Sequence, residues 1–220
     1  MKQFLIIGLG NFGFYLATDL YRKGHDVMAI DKNPVLVQSI KDHVTQAVVA
    51  DATDAGTFKA LDVKNVDTAV VGIGSVLGDS ILTVLNLLEI GIANIVAKAI
   101  SDPHKKVLEK LGVKNILFPE KDTARSMARK LDNPSLIDYL PLMEGYGIIE
   151  LAVPEKFVGQ NLKQIDLTNQ YGVQIIAIKS MDAGHTRFSP KADDILNQED
   201  ILILLGPEKG LDTLKTATPK

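Results

Sequence analysis

Close to its start the chain reads Gly8-Leu9-Gly10-Asn11-Phe12-Gly13, directly after a short apolar run and directly before a helical pattern. Glycine at the first position permits a tight turn, at the second it lets backbone approach a pyrophosphate, and at the third it lets helix and strand pack closely. A helix that opens there offers free N–H groups and the positive end of its dipole to an anion. Asp31 ends the second apolar run, 18 residues after Gly13, where a carboxylate accepts both hydroxyls of a ribose. Together these residues point to an adenine nucleotide whose ribose carries no phosphate, because Asp31 would repel a 2′-phosphate and so disfavours NADP.

Other polar residues fall at the carboxyl ends of later apolar runs, the edge at which such folds bind ligands. Asp51, Ala52 and Thr53 follow the third run and are expected beside the adenine, although Thr53 or Asp54 can equally cap the next helix. Gly72-Ile73-Gly74 follows the fourth run as bare backbone able to pass close to phosphates, or as a plain flexible loop. Lys98 ends the fifth run as a cation for phosphate or carboxylate, or as a solvated lysine. Glu120 heads the helix after the sixth run, where an acid also gains simply from the helix dipole.

Conventional catalytic sets are scarce. His25, His43, His104 and His185 show no His-x-His or His-x-x-x-His spacing, so a metal site built on them is not expected, and each reads as a solvated side chain in a turn or on a helix surface. Without a cysteine there is no disulfide, thiolate metal site or thiol nucleophile. No tyrosine has a lysine four residues later, as short-chain reductases require. With 24 basic against 27 acidic residues the chain is slightly acidic, which argues against nucleic acid, since phosphate binding needs concentrated Lys and Arg. The most apolar stretch is interrupted by Asp79 and Glu89, so nothing approaches the roughly 20 apolar residues of a membrane span. The first residues run straight into a strand pattern without a signal-peptide core, and a cytoplasmic protein is expected.

The elements that must position these groups follow from patterning. Apolar runs at 4–7, 27–30, 47–50, 69–71, 95–97 and 116–118 alternate with helical patterns, as in βαβ units around a buried parallel sheet. Phe12, Leu16 and Leu20 share one helix face, and Gly24 closes that helix. Asn33-Pro34 and Asp102-Pro103 start helices, while Gly91 and Gly112 end them. The expectation is an α/β fold: a doubly wound Rossmann domain over 1–120, a helical connector over 121–144 broken at Asn133-Pro134, and a smaller α+β domain over 145–220. In that second domain strands are expected at 148–153, 174–179, 186–189 and 201–205. A unit of that size buries a limited core, so pairing with another surface is expected.

The order of parts, with Val-Ala-Lys-Ala at 96–99, His-Lys-Lys-Val-Leu-Glu-Lys-Leu-Gly-Val at 104–113, Phe-Pro-Glu-Lys-Asp at 118–122 and Gln-Tyr-Gly-Val-Gln-Ile-Ile-Ala-Ile-Lys at 170–179, resembles the RCK family, regulators of potassium conductance. The likeness covers essentially the whole chain and is nearest to the cytosolic Ktr/Trk-type subunits of bacterial potassium uptake, with their TrkA N-terminal and C-terminal domains. It implies a non-enzymatic gating subunit that dimerises through its Rossmann domains, with the connecting helix crossing over. Such dimers form an octameric ring on the inner face of the membrane, beneath a separate integral-membrane potassium channel subunit. It further implies that ATP, ADP or NAD(H) is held at positions matching Gly8, Gly10, Gly13, Asp31, Asp51, Thr53 and Lys98. By the same resemblance Glu120 faces nucleotide phosphate and a bound cation at the dimer interface.

Two departures stand out. ATP-preferring relatives carry an arginine where this chain has Asn11, and a neutral amide cannot meet terminal phosphate charge; loss of such a contact costs about 1.5 to 3 kcal/mol. Relatives that bind cyclic di-AMP in the second domain place an arginine shortly before the Tyr-Gly pair, and Thr168-Asn169-Gln170 here argues against that ligand. The competing class is an NAD-dependent oxidoreductase, which shares the cleft and would rest on Lys98 as its acid.

Overall fold

The computed structural model describes residues 1–132, 135–180 and 185–216. They divide into two compact units, Met1–Glu120 and Lys121–Lys220. In the first, β1 (Gln3–Ile7), α1 (Asn11–Arg22), β2 (Asp26–Asp31), α2 (Pro34–Ile40), β3 (Gln46–Val49) and α3 (Ala55–Ala60) alternate, followed by β4 (Thr68–Val71), α4 (Leu77–Glu89), β5 (Ile95–Lys98), α5 (Asp102–Lys110) and β6 (Asn115–Leu117). The six strands are parallel in the order β3-β2-β1-β4-β5-β6. The chain winds outward on both sides of β1, so the β1/β4 boundary is the switch point at which a crevice opens beyond the strand ends.

Strand β1 shows why these runs lack alternation. Leu5 and Ile7 enter one core cluster with Ile30, Phe58, Val84 and Leu87, while Ile6 between them enters another with Val27, Ala29 and Ile40. Successive side chains point to opposite faces, and helices cover both, so every position is apolar. Full burial of each Leu or Ile stabilises by about 1.5 to 3 kcal/mol. Helix ends are set locally. Asn33 Oδ1 accepts the Val35 amide at 2.9 Å and caps α2, and Ser101 caps α5 through the His104 amide. The helices α1, α4 and α5 give way to Gly24, Gly91 and Gly112, all at positive φ.

The expectation that each histidine is solvated fails at His104, which is fully buried. It shares the inward face of α5 with Leu108, its Nδ1 accepts the Ile100 amide, and its Nε2 has no hydrogen-bond partner among the described residues. Burial lowers its pKa. The helix start at Asp102-Pro103 places this ring one turn before Leu108, and position on the face outweighs residue type.

The second unit differs in kind. After α6 (Pro119–Asp132) come β7 (Leu136–Met143), β8 (Tyr146–Ala152), α7 (Leu162–Ile165), α8 (Leu167–Tyr171), β9 (Gln174–Ser180), β10 (His185–Phe188), β11 (Asp200–Pro207) and α9 (Glu208–Thr216). The strands form an antiparallel sheet in the order β10-β9-β11-β8-β7. Along β8, Ile149 and Leu151 are buried while Ile148 and Glu150 are half-buried, the alternation of a sheet with one core face. Ile165, Leu167, Leu211 and Leu214 from α7, α8 and α9 close that core.

The helical connector expected over 121–144 is corrected here. Its break at Asn133-Pro134 lies outside the described residues, but Leu136–Met143 is a strand. A tight turn at Glu144-Gly145, with Gly145 at φ +74°, folds it back onto β8. The Tyr139 ring lies against Gly147, where an added Cβ would come within 2.8 Å of it, and its hydroxyl donates to Glu208 Oε1 at 2.7 Å. Pairing with β8 and a cross-strand aromatic decide the conformation here, which helix propensity alone does not anticipate.

Candidate functional site

The glycine turn is built as its spacing requires. Gly8 sits at φ +89°, and a Cβ there would meet the Ile73 amide nitrogen at 2.9 Å. A Cβ on Gly13 would come within 1.9 Å of the Gly8 carbonyl oxygen, so α1 can lie against β1 only with glycine at this position. At Gly10, by contrast, no atom of the protein lies within 4 Å of an added Cβ. The protein's own packing does not demand glycine there. Gly10 also precedes the first turn of α1 without a capping side chain, which leaves N–H groups and the dipole directed outward.

That space is a cavity of about 540 Å³, within the range of small-molecule sites. Its wall includes Gly8, Gly10, Asn11, Phe12, Asp31, Asp51, Ala52, Thr53, Gly72, Ile73, Gly74, Lys98 and Glu120. Among the residues expected at the site, Gly13 alone stays out of this wall, behind the turn in its packing role.

Asp31 is fixed in place. Its Oδ2 accepts the Leu9 amide at 2.7 Å and its Oδ1 accepts the Asn33 amide at 2.8 Å. Each carboxylate oxygen retains a lone pair, so the group is oriented by backbone and still able to accept from a ribose diol. The Asp51 Oδ1 accepts both the amide and hydroxyl of Thr53, at 2.9 and 2.7 Å, and these donors hold the Asp51 carboxyl below the usual carboxylate range. Capping of α3 falls to Asp54, whose Oδ1 accepts the Gly56 amide. Thr53 is thereby left to the cavity wall.

Lys98 is mostly buried and its ammonium is hydrogen-bonded to Glu120 Oε1. Neither the solvated-lysine reading nor the simple dipole reading of Glu120 describes this pair. The contact pulls the Glu120 carboxyl below its ordinary value. Gly74 lies beside Lys98 Nζ, so a side chain at 74 would crowd the ammonium. As for the cation expected at Glu120, the described residues hold no group of three or more carboxylates or histidines able to take a metal ion, and Lys98 already supplies the positive charge.

Three further residues shape the site without a motif to announce them. Asn86, carried by α4, donates to the carbonyls of Ala52 and Thr53 at 3.2 and 3.0 Å and fixes that loop. Lys32 Nζ and Asp79 Oδ2 are paired at 2.8 Å, and both line the cavity. The adjacency of Lys32 to Asp31 was the one available signal; Asp79 and Asn86 sit in a helical pattern where their direction depends on how α4 docks.

A doubly wound domain with a backbone-lined, carboxylate-bearing crevice, joined to a small antiparallel domain, defines a two-domain protein of the nucleotide-binding Rossmann class. The TrkA-N domain model matches residues 4–119 and the TrkA-C domain model residues 148–217. The chain is 36% identical over 210 residues to Ktr system potassium uptake protein A of Bacillus subtilis, covering 96% of this chain and 94% of that protein. It is 37% identical to protein C of the same system and organism, over 93% and 92% of the two chains. Against Ktr system potassium uptake protein A of Vibrio alginolyticus it is 31% identical over 96% and 94%. Among solved structures, the GsuK channel bound to NAD superposes with a TM-score of 0.68 at 17% identity, across all of this chain and 40% of that one. This chain belongs to the Ktr/Trk-type RCK family of potassium uptake proteins, built from a TrkA-N and a TrkA-C domain.

Proposed function

We propose that this protein is the nucleotide-sensing, cytoplasmic gating subunit of a bacterial potassium uptake system, acting on a separate integral-membrane channel subunit. Among the described residues no helix is long and apolar enough to cross a membrane, so the conducting path would belong to the partner. The observation that carries the reading is the crevice itself, in which a glycine turn, an uncapped helix start and an oriented Asp31 converge. In this reading the α1 amides hold the diphosphate of an adenine nucleotide, Asp31 accepts from its ribose, and the loop held by Asn86 borders its base. NAD(H), ADP and ATP share that chemistry, and NAD is found in the GsuK channel of similar fold.

The ligand acts as a signal instead of a reactant. Lys98, on which an oxidoreductase reading would depend, is neutralised by Glu120. Gating would follow from differential affinity: a nucleotide that binds one arrangement of a homo-oligomer more tightly shifts the population toward it, and that difference limits the shift. A dimer, and a ring of such dimers, are the assemblies this reading expects. Titration of the purified chain with NADH, NAD, ADP and ATP, followed by potassium flux through the reconstituted membrane partner, tests the proposal. Binding with nucleotide-dependent flux is expected. Failure of every adenine nucleotide to bind, or turnover of NADH with a carbonyl substrate, overturns it.

A further inference from the structure

The wall of the cavity carries two cations, Lys32 and Lys98, against four carboxylates, Asp31, Asp51, Asp79 and Glu120. A ligand with several phosphoryl charges therefore meets a rim that is negative overall, and its affinity depends on where the cations are committed. Lys98 is committed to Glu120. Lys32 is committed to Asp79, across a separation of 47 positions in the chain. Lys32 follows β2, whereas Asp79 stands in the first turn of α4, which follows β4. In the sheet β1 lies between β2 and β4, and β1 ends in the glycine turn. The ion pair thus ties together the two sides of the crevice into which Gly8 and Gly10 open.

The two partners are not equivalent. The Asp79 side chain is 24% exposed and that of Lys32 is 62% exposed. Asp79 is anchored on a helix, while Lys32 has a flexible stem and three donors it can redirect. An exposed pair of this kind is held weakly, and a phosphoryl oxygen carrying full charge competes well for the same ammonium. The Asp79 carboxylate raises the Lys32 pKa, and Asp51 and Asp31 add to this from farther away.

We propose that Lys32 contacts the nucleotide, exchanging Asp79 for a ligand phosphoryl oxygen, and that Asp79 is the competitor that sets how strongly the cleft favours phosphate-rich nucleotides. This inference rests on the nucleotide reading above. No bond is made or broken in the exchange; one ion pair replaces another and the crevice is released from its tie.

The experiment is a double-mutant cycle on the full chain, with affinities for ATP, ADP and adenosine measured for the parent protein, Asp79→Asn, Lys32→Met and the double variant. Both positions are at the surface, melting curves check folding, and Lys32→Gln serves as a second probe of the lysine. Asp79→Asn is expected to tighten ATP about fivefold, to leave adenosine unchanged, and to lose most of that gain when Lys32 is also replaced. Lys32→Met and Lys32→Gln are expected to weaken ATP by a similar factor. If the gain from Asp79→Asn persists in the double variant, or adenosine gains as much as ATP, the effect is through-space charge and the exchange is overturned. A parent protein that binds no adenine nucleotide overturns the underlying reading and this inference with it. A parent that binds ATP and shows an additive cycle overturns this inference alone.

Discussion

The central strands of the first unit run parallel, bury both faces and deliver their carboxyl ends to one edge. Those of the second run antiparallel and bury a single face under short helices. A parallel arrangement gathers loops and helix starts at the same edge, which is why Gly8, Asp31, Asp51, Gly72 and Lys98, drawn from five strand ends, meet around one cavity. Antiparallel neighbours send successive ends to opposite edges, so the same chain length builds a packed core without a comparable convergence of strand ends. Ligand recognition in this protein is thus a property of strand direction as much as of residue type.

Two glycines offer the severest way to break that division. Gly13→Ala forces a Cβ to within 1.9 Å of the Gly8 carbonyl, and Gly210→Ala forces one to within 2.1 Å of the Tyr171 carbonyl. Each is expected to destabilise its own unit by about 3 kcal/mol, and calorimetry should show the loss in one transition while the other holds. A shared loss would mean that the two cores unfold together. Only the Gly13 variant should also lose nucleotide binding.

Next in size is Asp31→Ala. With its carboxylate gone, the Leu9 and Asn33 amides lose their acceptor and the ribose loses its own. A hydrogen bond to a charged group is worth about 1.5 to 3 kcal/mol, so NADH affinity should fall tenfold to a hundredfold by calorimetric titration. An unchanged affinity would move the ribose elsewhere in the cavity.

Two smaller effects concern pH. The Glu120 carboxyl is lowered by Lys98, so its contribution is complete above the ordinary carboxylate value of 4.5 and is lost as the pH falls through the lowered folded value. Glu120→Gln should flatten the acid limb of stability in that window, by less than about 1 kcal/mol because the carboxylate is exposed. His104 works at a higher pH. Its neutral form is favoured by burial, so its contribution is complete above 6.5 and declines as acid drives protonation through the lowered folded value. His104→Asn, which retains an acceptor for the Ile100 amide, should remove the slope of melting temperature that sets in as the pH falls below 6.5, even if the variant melts earlier overall. Both belong to the first unit, and a slope surviving in the double variant would point to the second.

The amino-acid order alone determined whatever depends on neighbours a few residues apart. The unbroken apolar runs specify doubly covered strands, Gly8, Gly10 and Gly13 specify a tight strand-to-helix turn, and Asn33-Pro34 specifies a helix start. Asp31 was legible because its place at the end of β2 is set by the same short-range pattern. Tertiary structure alone decided the pairing of Lys32 with Asp79 and Lys98 with Glu120, the grip of Asn86 on the loop at Ala52, the burial of His104, and the conversion of 136–143 into a strand. In the two ion pairs and the Asn86 contact a partner 22 or more positions away supplies the deciding charge or hydrogen bond, while the docking of α5 buries His104 and the ladder with β8 makes 136–143 a strand. Which partners meet depends on sheet order and on the face each helix presents, and these emerge only when the whole core has packed.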